Sequence, residues 1–335
     1  MGADNEPQVA QAGQPPTAPI PPRELIERTG GRRPGKSDEW FRDFYGQTGR
    51  DRRAGIIEGL PDGYSFEGRR VLDFGCGSGR VLRQFLPEAA SGEFWGCDLH
   101  RPTIAWLDEH LSPPLRFFVN DEIPTPHQDS HFDLVYAISV FTHITHEWSA
   151  WLLELHRILK PDGLLLATII GPESWGRSLS SPPDEDQLGM CVQQLGLRPG
   201  DQSSGARVLH SPWWLRSHWG RAFEIRSLRS SGFAGGWHGF VLGRRKDVSL
   251  TRDDLERPEP EDPRELEAQR QQLVVLEEEA VQMGERWERQ WEGQRARNAK
   301  LSEALERCTA AIRRGEASPR WKRLPQVLRN LVRRH

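Results

Sequence analysis

Val71-Leu72-Asp73-Phe74-Gly75-Cys76-Gly77-Ser78-Gly79-Arg80 is the stretch around which the rest of the chain orders itself. A short apolar run carries an acid, and three glycines follow at every second position before a helix-compatible segment begins. Glycine admits backbone turns that other residues resist and lets a ligand approach the main chain. A helix start offers N–H donors without intrahelical partners. The next apolar run, Phe94–Cys97, closes on Asp98, nineteen residues past Gly79. A carboxylate there can accept both hydroxyls of a ribose. A dinucleotide fingerprint would place its third glycine at position 80, where this chain has Arg80. A pyrophosphate also has no need of Asp73. An acid two residues ahead of the first glycine suits a ligand that carries an amine.

Working outward, the apolar runs Leu115–Val119, Phe132–Ile138 and Leu164–Ile170 alternate with helical patterns near 79–88, 102–111 and 147–160. That rhythm predicts a parallel sheet with helices on both faces. Residues 171–210 break it with Gly, Pro and Ser. Ser211-Pro212 reads as a cap and first turn for a helix over Trp213–Phe223. The runs Phe223–Leu228 and Trp237–Leu242, joined by a short segment, suit a closing antiparallel pair. Upstream, residues 23–68, with Trp40, Phe41, Phe44 and Tyr45, read as an N-terminal helical cap. Residues 1–22 hold six prolines and no aromatic residue, the composition of a disordered arm.

Downstream, residues 246–264 read as an acidic, Pro-rich linker. From Glu265, heptads starting at Leu266 put Leu266, Leu273, Ala280, Trp287 and Leu301 at position a, and Leu276, Met283 and Ala304 at d. Gln290, Gln294 and Arg297 weaken the seam in its middle. A long helix over 265–313 is expected, with a coiled coil that would pair two chains as a homodimer. Residues 314–335 read as a basic amphipathic tail. Within it, Ser318–His335 holds six Lys/Arg and no acid, a pattern suited to peripheral membrane contact.

Hydrophobic residues make up 36% of the 335, below the roughly 45–50% of a typical globular chain, so part of the chain is expected to lie outside a packed core. No apolar run approaches a membrane span, and the first twenty-two residues lack the Lys or Arg of a secretory signal. The four cysteines form no CxxC pair, which disfavours a zinc ribbon or a disulfide framework and makes a reducing cytoplasm the simplest setting. No basic patch with interleaved aromatics appears in the body, so no nucleic-acid partner is expected.

Residues 35–245 resemble the class I S-adenosylmethionine-dependent methyltransferases. Asp73, Gly75, Gly77 and Gly79 match that family's first motif, and Asp98 matches its ribose-binding acid. Asn120-Asp121 fall where the family contacts the adenine amino group. Phe132–Ala137 matches the fourth strand, with Ser139 at its open end. Leu159-Lys160-Pro161-Asp162-Gly163 resembles the turn before the fifth strand, with Asp162 where glycine is usual. The resemblance implies an α/β, Rossmann-like fold over 69–245, a seven-stranded mostly parallel sheet with a terminal antiparallel strand pair. It also implies S-adenosyl-L-methionine as cofactor, held by Asp73, Gly75, Gly77, Gly79, Asp98, Asn120, Asp121 and Ser139.

A sulfonium methyl is already activated, so such an enzyme must hold its acceptor in line and exclude water. A hydroxyl acceptor usually also needs a base. His143, His210 and His238 are the candidates, each with a hydrogen-bonded structural role as the alternative. No carboxylate cluster accompanies His143 and His146, so no metal site is expected. Trp175, Trp213 and Trp214 are candidates for stacking on a sugar or aromatic ring, or else core. Cys76 and Cys97 read as packing residues. A catalytic domain, a helical rod and a basic end resemble the layout of bacterial enzymes that modify surface glycans at the cytoplasmic membrane. The expected activity is therefore O-methylation of a glycan or lipid-linked glycan, in the cytoplasm or at the inner face of the membrane. The alternatives are a small-molecule methyltransferase dimerised by its coiled coil, and a non-catalytic scaffold that binds the cofactor.

Overall fold

The computed structural model describes residues 18–30, 35–179, 182–193 and 205–313; the expected basic tail and most of the expected N-terminal arm lie outside the described residues. Two helices open the fold, α1 (Arg23–Gly30) and α2 (Asp38–Gly59), the second capped by the Ser37 hydroxyl, which accepts from the Trp40 N–H. The α/β body follows: β1 (Arg70–Phe74), β2 (Glu93–Asp98), α3 (Arg101–Leu111), β3 (Arg116–Val119), β4 (Phe132–Ala137), α4 (Trp148–Ile158) and β5 (Leu159–Ile169). Then come β6 (Met190–Gln193), β7 (Arg207–His210), α5 (Pro212–Ala222), β8 (Phe223–Arg229) and β9 (Gly239–Arg245).

The main sheet has seven strands in the order β3-β2-β1-β4-β5-β9-β8. Strands β3 to β5 run parallel, and β9 runs antiparallel to both of its neighbours. The central strands read as nearly unbroken apolar runs because helices cover both sheet faces. On one face Leu152, Leu155, Leu215 and Trp219 from α4 and α5 pack on Leu72, Val135 and Leu165. On the other, Ile56, Leu107 and Leu111 from α2 and α3 pack on Val71, Leu134 and Leu166. Strand order reverses between β1 and β4, and open α/β sheets bind ligands at the carboxyl ends of the strands flanking such a point.

Three regions differ from expectation. The helix expected near 79–88 is instead two 3-10 turns, Leu82–Phe85 and Glu88–Ala90. Gly77 and Gly79 sit at positive φ, and Pro87 bars a helix interior, so too few residues remain to nucleate an α-helix. Leu82 and Phe85 still reach the core. Residues 171–210 contain a 3-10 segment, Pro172–Arg177, and a separate antiparallel pair, β6 with β7. Four-residue strands lie far apart in sequence there and leave no period to read.

The expected linker over 246–264 contains a helix, α6 (Arg252–Glu256), with a capping box between Thr251 and Asp254. Leu255 is fully buried, Arg221 donates to the Asp254, Leu255 and Arg257 carbonyls, and buried His218 bonds Glu265 at 3.0 Å. One apolar residue and a set of backbone acceptors thus dock a stretch that composition marks as a spacer.

Helix α7 (Pro263–Arg313) has 51 residues. Residues up to Leu276 belong to the first of two compact units. There the Gln272 amide accepts from the Val192 N–H at 2.6 Å and donates to its carbonyl at 3.0 Å, pairing with β6. The second unit, from Glu277, is helical through Arg313 and exposes Val281, Met283, Trp287, Trp291 and Leu301. No helix among the described residues is long and apolar enough to cross a membrane.

Candidate functional site

A cleft of about 770 Å³ opens at the carboxyl ends of β1, β2 and β4. That is the size range of cofactor and small-ligand sites. Its floor is the glycine loop. Gly75 has φ 76°, and a Cβ there would lie 2.5 Å from Val140 Cγ2; at Gly79, φ is 73° and a Cβ would lie 2.6 Å from Leu107 Cδ2. Both conformation and space therefore exclude a side chain. The Gly75 and Cys76 N–H groups donate to the Cys97 carbonyl at 2.9 and 2.8 Å, and the Gly77 N–H donates to Asp98 Oδ2 at 3.0 Å. From the other side, the buried Tyr45 hydroxyl of α2 donates to the Ser78 carbonyl at 2.6 Å. The loop is thus clamped between β2 and α2. Gly75 and Gly77 line the cleft, whereas Gly79 does not, and its role is close packing under Leu107.

Three polar groups in the cleft have capacity to spare. Asp98 Oδ1 accepts from the His100 N–H at 2.9 Å, so two of the roughly four acceptor positions of its carboxylate are used. Asp73 is 2% exposed, and its Oδ2 has no partner among the described residues. Burial pushes its carboxyl up to about 8, with the nearby Tyr136 hydroxyl pulling the other way and the Asp98 charge adding to the rise. Asn120 is 4% exposed, and its buried Oδ1 is likewise unpartnered. A buried polar group without a partner is costly, and these atoms are complementary to one molecule. An ammonium group suits Asp73, ribose hydroxyls suit Asp98, and an adenine amino group suits Asn120 Oδ1. The residues present fit S-adenosylmethionine.

The remaining candidates fall on both sides of the line. Ser139 lines the cleft with φ 58°, its N–H donating to Thr168 Oγ1 at 2.7 Å. Asp121 does not line it: the side chain is exposed and pairs with Arg101 Nη2 at 2.5 Å, at the start of α3. His143 is exposed on the cleft wall, and its Nδ1 lies 2.9 Å from the Ala206 carbonyl. A carbonyl only accepts, so the neutral ring carries its proton on Nδ1 and presents Nε2 as a free acceptor.

His210 is 1% exposed and lies among Trp214 and Trp219, away from the cleft wall; burial pushes it down to about 3. His238 is buried behind Trp237, pushed down to about 4 by burial and then by the Arg52, His143 and Arg207 charges. Neither His210 nor His238 lines the cleft.

Trp175, Trp213 and Trp214 are core residues at 1%, 6% and 7% exposure, with the first two indole N–H groups spent on backbone carbonyls. Among the described residues the cleft aromatics are Phe74, Trp151 and Trp237. Trp40 stacks on Phe44, while Phe41 and Tyr45 pack with Ile26 of α1, so this aromatic knot fastens the two helices. Burial pushes the Cys76 and Cys97 thiols well up. Among the described residues no group of three His, Cys, Asp or Glu is placed to hold a metal.

Arg80, Arg207 and Trp237 also line the cleft. Arg80 stands inside the glycine motif itself, so its position was readable. Arg207 and Trp237 come from segments whose approach to the cleft depends on the β6–β7 pair and the β8–β9 turn.

A family model described as a methyltransferase domain matches residues 71–163. The chain is 31% identical over 121 residues to phthiotriol/phenolphthiotriol dimycocerosates methyltransferase 1 of Mycobacterium ulcerans (strain Agy99), covering 35% of this chain and 44% of that protein. It is 30% identical over 122 residues to fatty-acid O-methyltransferase of Mycolicibacterium smegmatis, covering 35% of this chain and 44% of that protein. Both matches span less than half the length of the curated relatives. A crystal structure of a Pyrococcus horikoshii OT3 protein is similar at TM-score 0.44 and 19% identity, over 63% of this chain and 100% of that one.

Proposed function

We propose that this chain, whose residues 71–163 match a model described as a methyltransferase domain, is a class I S-adenosylmethionine-dependent methyltransferase that binds its cofactor in the β1–β4 cleft and transfers its methyl group to an acceptor oxygen. One observation carries the reading: two buried, unpartnered acceptors, Asp73 Oδ2 and Asn120 Oδ1, flank a glycine loop that is tied to Asp98. When bound, the cofactor supplies an electrophilic sulfonium methyl. The chain's own residues orient and protect. Asp73 holds the amine end, Asp98 the ribose and Asn120 the adenine edge. Val140, Ile144 and Trp151 give the cleft an apolar wall that keeps water out. His143 Nε2 takes the proton that an acceptor hydroxyl loses as its oxygen bonds the methyl carbon.

Glycans and lipid-linked glycans are the first acceptors to test. The layout of the chain supports them, and the two relatives named above carry lipid names. Pairing of two chains through 265–313, supported by exposed Trp287, Trp291 and Leu301, and membrane contact through 318–335 belong to the same reading. The test is S-adenosylhomocysteine release by the full chain from methyl-labelled cofactor across glycan, lipid-linked glycan and small hydroxyl or carboxyl acceptors. Labelled product with a glycan acceptor supports the reading in full. Turnover only with small acceptors shifts the substrate class. Cofactor binding without turnover on any acceptor favours the scaffold.

A further inference from the structure

We propose that the acceptor is an anion, held through a carboxylate or phosphate group by a cationic subsite of Arg52, Arg80 and Arg207 at the His143 end of the cleft. The inference rests on the cofactor reading above and names the substrate class for that same site.

The observation is an imbalance of charge. Arg80 and Arg207 line the cleft, and the Arg52 guanidinium lies against Gly236, next to the cleft residue Trp237. None of these three arginines forms an ion pair with a carboxylate among the described residues. Arg207 Nη1 donates to the neutral Ser178 hydroxyl at 3.3 Å. Burial lowers Arg52, and burial together with the Arg52 charge lowers Arg80. Partly buried arginines without a counter-ion are costly, and a planar guanidinium matches carboxylate and phosphate geometry.

Among the described residues the carboxylates of the cleft wall are Asp73 and Asp98, neither of which forms an ion pair with these arginines. The cofactor's amine and ribose answer those two. The cofactor's own carboxylate is the rival source of an anion, since Arg80 stands near Asp73. It is too little: S-adenosylmethionine carries a sulfonium and an ammonium against that single carboxylate and is itself a net cation. With the cofactor seated and Asp73 ionised against its ammonium, these arginines still lack an anionic partner, and a negatively charged acceptor supplies one. Arg207 follows Ala206, whose carbonyl orients His143, so an anion on Arg207 sits beside the proposed base.

The test is calorimetric titration of the full chain, saturated with S-adenosylhomocysteine, with inorganic pyrophosphate at constant ionic strength. Arg52→Gln and Arg207→Gln are run in parallel, with Arg52→Lys and Arg207→Lys as milder replacements. S-adenosylhomocysteine binding reports that each variant is folded. The expected result is saturable pyrophosphate binding that weakens about tenfold or more in each Gln variant, with S-adenosylhomocysteine affinity unchanged. Arg80→Gln separates the two sources. A loss of affinity for S-adenosylhomocysteine but not for 5′-methylthioadenosine, which lacks the amino-acid end, together with competition between pyrophosphate and S-adenosylhomocysteine, assigns the cations to the cofactor and overturns the proposal. No saturable pyrophosphate binding to a protein that binds S-adenosylhomocysteine also overturns it and leaves the methyltransferase reading standing. Failure to bind S-adenosylhomocysteine defeats that reading instead.

Discussion

The two ends of the cleft are built in different ways. The proposed cofactor end comes from one stretch of chain, residues 73–120, in which each strand delivers its candidate group at its own carboxyl terminus: Asp73, the glycine loop, Asp98, Asn120. The proposed acceptor end gathers Arg52 from α2, Arg80 from the glycine motif, His143 from beyond β4, Arg207 from β7 and Trp237 from ahead of β9. The first end is held by backbone hydrogen bonds, as when Gly75, Cys76 and Gly77 tie to Cys97 and Asp98. The second is held largely by side chains and by the packing of distant elements. A local, backbone-built site tolerates little substitution, whereas a composite site can be changed one residue at a time.

Gly75→Val is the harshest test of that contrast. The residue needs positive φ, which costs a side chain about 1–2 kcal/mol, and a Cβ would already meet Val140 Cγ2 at 2.5 Å. Cofactor binding measured by calorimetry should fall more than a thousandfold. A variant that binds within tenfold of the parent breaks the claim that backbone shape governs this end. At the acceptor end, His143→Gln should lower kcat about a hundredfold and leave S-adenosylhomocysteine affinity unchanged. An equal loss of both would place His143 in cofactor binding.

Protons separate the cofactor end from the buried histidines outside the cleft. Burial holds Asp73 up to about 8, while a cofactor ammonium favours its ionised form. Binding should therefore release a proton, and affinity should drop by up to about tenfold from pH 7 to pH 6 and level off above about pH 8. Calorimetry in buffers of different ionisation heat reads that proton; a pH-independent affinity removes Asp73 from the ammonium. His210 and His238 are shifted the other way, and their protons bear on stability rather than on cofactor affinity. Their folded-state values, about 3 and about 4, lie below the ordinary 6.5. The unfolded chain then binds more protons below pH 6.5, and stability falls on acidification. Each histidine contributes up to about 1.4 kcal/mol per pH unit until its folded value is reached. Denaturant midpoints at pH 6.5 and 5.5 test this, and His210→Phe should flatten the dependence.

The smallest effect is expected at Asp121. Its exposed pair with Arg101 is worth at most about 1 kcal/mol, so Asp121→Asn should leave S-adenosylhomocysteine affinity within about twofold. Asn120→Ala, one residue earlier, should weaken it about tenfold. Equal losses would mean that both side chains face the cofactor.

That adjacent pair also shows how far the sequence could be read. Position in the motif brings Asn120 and Asp121 to the mouth of the cleft together, but consecutive residues at a strand end point in different directions. Only the capture of Asp121 by Arg101 decides which one faces inward. The same holds for the histidines. His143, His210 and His238 are alike as residues in polar surroundings, and burial among Trp214 and Trp219 or behind Trp237 sets two of them apart. The expected helix over 79–88 failed because apolar spacing says nothing of the positive φ at Gly77 and Gly79 that precedes it.

The sequence by itself determined the mostly parallel sheet, its closing antiparallel pair and the acid-flanked glycine turn. Alternating apolar runs must be buried on both faces, and a Gly-x-Gly-x-Gly turn between an acid-bearing strand and a second acid admits few backbone paths. The tertiary structure alone decided which residues beyond the motif reach the cleft and the docking of α6 through Leu255. These depend on residues up to about 190 positions apart in the numbering, from Arg52 to Trp237, meeting across a packed core. No local pattern encodes such a meeting, because the free energy that enforces it is spread over the whole of that core.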